Sequence, residues 1–248
     1  MACQPWAVAP PDDDDTARPD TTRPAGSPAG SAYLVAPDDG PGPGVLVLHS
    51  WWGLTPGVKR VVEALADAGF TAMAPDLLDG ALPADEIEAT EVVAASDANA
   101  TAALVLSSIV ALRAHSAEPE APIAVIGYSM GGSWAMWVAT RQPESVHAVV
   151  DYYGHQDIDF AELQARVLCH FAEHDPLVGE SRTIELQSHL MLLDKVVEVH
   201  RHAGTRHFFA EEGVPALGPG GETGERTEVD RAAAEAAWRR TLEFLRGE

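Results

Sequence analysis

The stretch of sequence that decides the fold is Ile123-Ala124-Val125-Ile126-Gly127-Tyr128-Ser129-Met130-Gly131-Gly132. It contains a G-x-S-x-G motif, which directly follows an apolar run of strand length and directly precedes a helical pattern over 132–141. A serine in this context is typical of a nucleophile elbow, a sharp turn that projects the hydroxyl above a sheet. The alternative is a glycine-rich helix start in an α/β protein without this chemistry. The flanking strand and helix favour the elbow, with Ser129 as the nucleophile.

On both sides of the motif, apolar runs of strand length alternate with helical patterns. Strands that are apolar along their whole length are buried on both faces, which indicates a parallel sheet between layers of helices. The sequence therefore predicts an α/β protein of the α/β-hydrolase fold, with a mostly parallel central sheet and helices on both faces. The predicted strands are 32–36, 45–49, 71–74, 123–127, 147–152, 167–172 and 196–200, and the predicted helices are 55–68, 86–115 (with or without a break), 132–141, 181–193 and 229–246.

A chain of 248 residues suits one domain. Residues 1–30 are rich in Pro, Asp, Thr, Ala and Gly and predict a disordered acidic tail, followed by a single α/β-hydrolase domain over 31–248. The run Asp12–Asp15 lacks the spaced ligands and the glycine turn of a calcium loop, so we interpret it as solvated charge. The Gly- and Glu-rich stretch 211–228 predicts a mobile surface loop.

The net charge of −22 excludes several partners. Such a field repels nucleic acid and anionic membrane surfaces, so we expect a small-molecule substrate instead. We find no signal peptide and no apolar run near the ~18 residues that span a bilayer, which predicts a cytoplasmic protein. Cys3 and Cys169 have no metal-type spacing, so we expect neither a disulfide nor a metal or other cofactor. The oligomeric state stays open.

A serine nucleophile needs a base, and the base needs an orienting carboxylate that follows the serine in the chain. Asp175 comes just after the predicted strand 167–172, in a turn that Pro176 stiffens, and is our choice for the acid. Turn formation alone would also explain an aspartate there. Asp151 lies within its strand and is the second choice, while Glu173 is nearer the strand end and serves to solvate the loop.

Three histidines follow the candidate acid. His200 and His202 belong to the last predicted strand, where either can be a partly buried side chain. His207 lies in the loop 203–209 after that strand, where loops overhang the nucleophile. We therefore predict His207 as the base.

An oxyanion hole completes such a site, and one donor should be the backbone N–H of Met130, the residue after the nucleophile. The other should come from the loop after an earlier strand, where Trp51 N–H is the candidate. We assign the substrate pocket to side chains beside these donors: Ser50, Trp52, Tyr128 and Phe208.

Ser50 is a rival nucleophile because it also follows a strand. Two bulky tryptophans come after it, and Leu48 rather than a glycine stands two places before it. Those side chains would crowd a tight elbow, so we expect Ser129 and not Ser50 to attack.

Together these motifs resemble the dienelactone hydrolase family, over about residues 31–246. The resemblance implies hydrolysis of carboxylic esters or lactones without a cofactor. It rests on Leu48-His49-Ser50-Trp51-Trp52-Gly53-Leu54, Ala74-Pro75-Asp76-Leu77, Gly127-Tyr128-Ser129-Met130-Gly131-Gly132, Asp175 and the segment from Gly204 to Phe208.

The chain departs from the founding enzyme of that family at two linked positions. That enzyme has a cysteine where this chain has Ser129, and a glutamate, thought to control the ionisation of the thiol, where this chain has Ser50. A serine hydroxyl is far from its pKa at neutral pH, so it does not need a partner that controls its ionisation. The two changes therefore agree with an ordinary serine esterase. The arginines that bind the carboxylate of dienelactone have no counterpart directly after Asp76, where the first arginine is Arg113, or in residues 208–212 directly after His207.

The sequence thus predicts a serine hydrolase that cleaves carboxylic esters or lactones through an acyl-enzyme. Two alternatives remain: a non-catalytic ligand-binding module on the same fold, and an acyltransferase in which an alcohol or amine replaces water.

Overall fold

A computed structural model describes residues 31–247, so the predicted tail, residues 1–30, lies outside the described residues. The strands are β1 (Ala32–Val35), β2 (Gly44–Leu48), β3 (Thr71–Pro75), β4 (Ile123–Tyr128), β5 (Val146–Tyr152), β6 (Arg166–His174), β7 (Val197–Arg206), β8 (Ala216–Leu217) and β9 (Thr223–Gly224). The helices are α1 (Pro56–Asp67), α2 (Glu86–Ala95), α3 (Ala98–His115), α4 (Met130–Arg141), α5 (Glu180–Leu192) and α6 (Glu228–Arg246).

Within this part of the chain, seven strands form one sheet in the order β1-β3-β2-β4-β5-β6-β7. β1 runs antiparallel to β3, and every other neighbouring pair is parallel. Leu48 pairs with Gly127, which in turn pairs with Asp151. The segments that follow β2, β4 and β5 therefore meet at one edge of the sheet.

The centre of the sheet is covered on both faces, because every residue of β2 and of β4 is buried. Successive side chains of a strand point to opposite faces, so a fully buried strand requires a layer on each side. Helices α3 and α4 pack on β2, while α6 packs on β6 and β7. The predicted fold class is confirmed.

Local signals explain where the first helices begin. Thr55 caps α1 by accepting a hydrogen bond from Val58 N at 3.3 Å, and Pro56 occupies the first turn. The predicted helix 86–115 is broken at Ser96, after which Asp97 caps α3 by accepting from Asn99 N at 2.9 Å. The cap favours a new helix start at that point.

Helix α3 is the one helix in residues 31–247 that is long and apolar enough to cross a bilayer. It packs against β2 and β3 of the sheet. Its buried apolar residues, among them Val105, Ile109 and Leu112, therefore form part of the core of the α/β domain.

The prediction of a surface loop over 211–228 is wrong for residues 214–218, which are mostly buried, whereas residues 219–228 are mostly exposed. β8 and β9 pair within this stretch, and Leu217 forms a backbone bridge with His207 through N···O distances of 3.1 and 3.0 Å. The many glycines and glutamates of this stretch suggested exposure, although it also contains apolar residues, of which Val214 and Leu217 are buried. Glu211, the first residue of the stretch, is only 6% exposed.

Candidate active site

Ser129 occupies the sharp turn between β4 and α4. Its backbone has φ +52° and ψ −113°, a conformation that costs a residue with a side chain about 1–3 kcal/mol. Ser129 N donates to Tyr152 O at 2.8 Å, which fixes the turn against β5. The strain and this anchor are those of the predicted elbow.

The glycines of the motif are required by close backbone contacts. A Cβ on Gly127 would lie 2.2 Å from Gly131 O, and a Cβ on Gly131 would lie 2.1 Å from Leu48 O. Neither backbone carbonyl can move away cheaply. The motif therefore allows α4 to begin directly against β2 and β4.

His207 lies between Ser129 and Asp175. Its Nε2 is 2.8 Å from Ser129 Oγ, and its Nδ1 is 2.6 Å from Asp175 Oδ2. The imidazole is fully buried. With the proton on Nδ1, the ring donates to the carboxylate and presents a lone pair to the serine hydroxyl, which is the geometry of a general base.

Asp175 is held by its own turn, directly after β6. Its Oδ1 accepts from Leu177 N at 2.8 Å and from Val178 N at 2.9 Å. These two bonds fix the plane of the carboxylate and leave Oδ2 for His207. The predicted turn after the strand thus both forms and orients the group.

The alternative acids lie elsewhere. Asp151 is fully buried in β5, where its Oδ1 accepts from Gly154 N at 2.8 Å. Burial raises the pKa of Asp151 to about 7, although the bond from Gly154 N lowers it. Glu173 lies inside β6, which is longer than predicted, and its carboxylate accepts from Gly204 N at 2.7 Å. Neither carboxylate has a hydrogen bond to His207 within residues 31–247.

The alternative bases are also engaged elsewhere. His202 Nε2 lies 3.2 Å from His170 Nδ1, and burial lowers the pKa of His202 to about 4. His200 Nε2 contacts Glu198 Oε1 on the outer part of β7. The structure thus brings only His207, of these three, to the serine.

Aromatic side chains surround the imidazole. The Phe208 ring lies 4.2 Å from that of His207 and 5.8 Å from that of Trp52, measured between centroids. The Tyr153 ring also packs against the His207 ring, with centroids 4.8 Å apart. Tyr128, also predicted in the pocket, stacks on Tyr152 instead, at 4.7 Å.

Backbone strain is concentrated around the same imidazole. Like Ser129, both Tyr153 and Phe208 have positive φ values, of +46° and +65°. Strained residues of this kind persist where the surrounding structure fixes them, and they cluster at functional sites. All three contact His207.

Two residues near the site were missed by sequence analysis. The Ser50 hydroxyl donates to Glu211 Oε2 at 2.6 Å, and the Tyr153 hydroxyl donates to Glu211 Oε1 at 3.3 Å. Tyr153 directly follows β5 at the edge of the sheet where the site lies, and that position was a usable signal. Glu211 had none, because its surroundings have the composition of an exposed loop.

The two candidate oxyanion donors come from adjacent strand ends. Met130 is the first residue of α4, whose N-terminus concentrates backbone N–H groups and positive dipole. Trp51 lies in the turn after β2, where Gly53 N donates to Ser50 O at 3.2 Å. The pairing of Leu48 with Gly127 places these two segments side by side.

Over residues 31–247, no three His, Cys, Asp or Glu side chains come together as a metal site.

The sequence profile of the dienelactone hydrolase family matches residues 31–248. The chain belongs to the dienelactone hydrolase family. This membership confirms the predicted resemblance and the predicted class, a carboxylic-ester hydrolase of the α/β-hydrolase fold. Its substrate is a small-molecule ester or lactone.

Two curated relatives are distant in sequence but match most of the chain. Protein usf of Aquifex pyrophilus is 26% identical over 86% of this chain and 91% of its own length. Carboxymethylenebutenolidase 1 of Cupriavidus pinatubonensis is 27% identical over 86% of this chain and 90% of its own.

Solved structures agree on the fold. A dienelactone hydrolase-like promiscuous phosphotriesterase from metagenomic libraries superposes with a TM-score of 0.74 at 20% identity, covering 87% of this chain and 91% of its own. A thermophilic esterase of Thermogutta terrifontis gives 0.62 at 16% identity, covering 86% of each chain.

Proposed function

We propose that this dienelactone hydrolase family member is a serine hydrolase in which Ser129, His207 and Asp175 form a catalytic triad. The observation that carries the proposal is the unbroken chain of hydrogen bonds from Ser129 Oγ through both ring nitrogens of His207 to Asp175 Oδ2. The members of this chain come from three separate loops at one edge of the sheet. Nothing in the packing of a core requires that arrangement, whereas nucleophilic catalysis does.

The reaction begins when Ser129 Oγ attacks the carbonyl carbon of the ester and His207 Nε2 takes the hydroxyl proton. The negative charge on the carbonyl oxygen meets the backbone N–H groups of Met130 and Trp51. His207 then gives its proton to the leaving alcohol, which leaves an acyl group on Ser129. His207 then takes a proton from water, which attacks the acyl-enzyme, and returns that proton to Ser129 Oγ as the acid is released. Asp175 stabilises the imidazolium in both halves.

We infer a neutral ester or lactone as the substrate. Phe208, Trp52 and Tyr153 supply an aromatic wall next to the reacting atoms. Glu211, a buried acidic residue, accepts a hydrogen bond from Tyr153 of this wall, and the net charge of the chain is −22. A relative is named carboxymethylenebutenolidase, for a lactone that bears a carboxylate. No lysine or arginine lies between Asp76 and Arg113 or between His207 and Arg226, so the residues directly after these two positions supply no cation for that carboxylate.

We further propose that residues 31–248 form a single domain, because the family profile spans them without interruption. The cytoplasmic location stays a prediction.

Rapid mixing with an activated butyrate ester tests the mechanism. We expect a burst of alcohol release and a butyryl adduct that intact-mass spectrometry detects and peptide mapping assigns to Ser129. Ser129→Ala should show neither. Turnover that survives in Ser129→Ala, or folded protein that hydrolyses no activated ester, would overturn the proposal; the second result would favour the ligand-binding module.

A further inference from the structure

Glu211 is a buried carboxylic acid beside the proposed triad. It comes four residues after His207 and is fully enclosed by neighbouring loops, in contrast to Glu212, whose side chain pairs with Arg60 on the surface. Both of its oxygens are used, each by a hydroxyl from a different segment: Oε2 by Ser50 and Oε1 by Tyr153. One carboxyl group thus joins the loop of His207 to the segments after β2 and β5.

The hydrogen bond between Ser50 and Glu211 holds the turn after β2, whose backbone is fixed by further hydrogen bonds. Ser50 O accepts from His49 Nδ1 at 2.7 Å and from Gly53 N at 3.2 Å, and Ser50 Oγ also accepts from Trp52 N at 3.4 Å. Glu211 is the acceptor that fixes the direction of the Ser50 hydroxyl. It therefore anchors the turn from outside, at the residue directly before Trp51.

Burying an ionisable carboxyl group at this position costs free energy. Burial raises the pKa of Glu211 to about 7, against the effects of the Ser50 and Tyr153 hydroxyls and the charge of Arg226, which lower it. An apolar or amide side chain would fill the same space without that cost. Buried carboxyl groups with strongly shifted pKa values cluster at functional sites.

We propose that Glu211 is a positioning residue for ester hydrolysis, which acts through Ser50 to hold the turn after β2 with Trp51 N–H directed at the oxyanion. The inference rests on the proposed function, because it takes Trp51 N–H as an oxyanion donor. An interaction of this kind matters most when the oxyanion has formed, since small misplacements of a donor weaken the transition state more than the bound ester.

The test compares Glu211→Gln, Ser50→Ala and the double variant. Complete removal of one oxyanion donor costs ~10²–10³-fold in kcat, so we expect a displaced donor to cost about 10-fold. We expect each single variant to lose this factor in kcat with KM changed less than about twofold. A trifluoromethyl ketone, whose adduct with serine carries an oxyanion, should inhibit each variant more weakly by a similar factor.

The double variant should be no slower than the slower single one, because Glu211 and Ser50 act as one unit. Glu212→Gln is the matched control, since it removes the same charge one residue away and should keep the kcat of the unmodified enzyme. Thermal unfolding identifies any variant that fails to fold. If Glu211→Gln does not fold, kcat and inhibitor affinity are compared between Ser50→Ala, which keeps the carboxyl group, and the unmodified enzyme.

Two results would overturn the inference: unchanged kcat and inhibitor affinity in folded Glu211→Gln, or independent, multiplying losses in the double variant. These results are distinct from a failure of the proposed function. In that case Ser129→Ala would keep its activity, whereas here the unmodified enzyme still forms its acyl adduct on Ser129.

Discussion

Asp175 Oδ2 lies 2.6 Å from His207 Nδ1, while Oδ1 of the same carboxylate accepts two backbone N–H groups of the turn that follows β6. The carboxylate therefore cannot rotate to a different partner without breaking two bonds. It favours on His207 the tautomer with the proton on Nδ1, which leaves the lone pair of Nε2 facing Ser129 Oγ.

Replacing Asp175 with Asn tests this relationship. The amide keeps the size of the carboxylate and one acceptor, but its NH₂ group facing His207 would favour the wrong tautomer. We expect kcat to fall by roughly 10⁴-fold, as in other triads with the wrong tautomer, with the fold retained. The measurement is steady-state hydrolysis of an activated ester together with circular dichroism.

Asp151→Asn is the matched control for that experiment. Asp151 is also buried near the end of its strand, but within residues 31–247 its side chain accepts a hydrogen bond only from Gly154 N. We expect its kcat to stay within a few-fold of the unmodified enzyme. If Asp151→Asn caused the large loss and Asp175→Asn did not, the assignment of the acid would be wrong.

The same Asp151 variant should change how stability depends on pH. The pKa of Asp151 is raised to about 7 in the folded protein, from an ordinary value near 4. The folded state therefore binds the proton more tightly, so the contribution of Asp151 to stability is complete below about pH 4 and is lost as pH rises through 7. The change is on the order of 2–4 kcal/mol, since each unit of pKa corresponds to about 1.4 kcal/mol.

Because the Asn side chain does not titrate, the variant does not lose this stability as pH rises. We expect the stability of Asp151→Asn, relative to the unmodified protein, to be higher at pH 8 than at pH 5. Urea unfolding of both proteins at the two pH values measures the difference, in which the effects of other titrating groups cancel. An equal difference at both pH values would show that Asp151 does not titrate in this range.

The close contacts of the elbow predict a strong effect for Gly131→Ala. The new Cβ would lie 2.1 Å from Leu48 O, so β2 and α4 would have to separate. We expect a loss of stability of ~1–3 kcal/mol and loss of most ester hydrolysis, because the nucleophile would move. Gly179→Ala is the control, since a Cβ there meets nothing within 4 Å. Equal melting temperatures for both variants would contradict the steric account of the motif.

The acidity of the chain predicts a preference for uncharged substrates. We expect a higher kcat/KM for a neutral short-chain ester than for a matched ester that carries a free carboxylate. Added salt should narrow the gap, because it screens the repulsion between the anionic ester and a chain of net charge −22. A preference for the anionic ester that fades with salt would reveal a cationic pocket.

The sequence was sufficient to predict the sheet, the elbow and the positions of Asp175 and His207, because each depends on a local pattern. Fully apolar strands such as β4 indicate a sheet that is covered on both faces. The orientation of Asp175 is fixed by backbone N–H groups of its own turn, such as Leu177 N. The class and the fold are confirmed by the family match. The roles of the individual site residues stay predictions.

Contacts between distant segments could not be predicted. Glu211 and Ser50 are separated by 161 residues, and nothing local to either indicates the other. Residues 214–217 are mostly buried, and Leu217 bridges His207, which is in position only when β7 has formed. In both cases the three-dimensional packing reverses what the local composition indicates.

Labelling with a fluorophosphonate, followed by peptide mass mapping, tests the central claim that Ser129 is the nucleophile. We predict the adduct on the peptide that contains Ser129, no labelling of Ser129→Ala, and greatly slowed labelling of His207→Ala, because an unassisted serine hydroxyl is a weak nucleophile. Ser50→Ala should still be labelled. An adduct on Ser50, or labelling that persists in folded Ser129→Ala, would contradict the account.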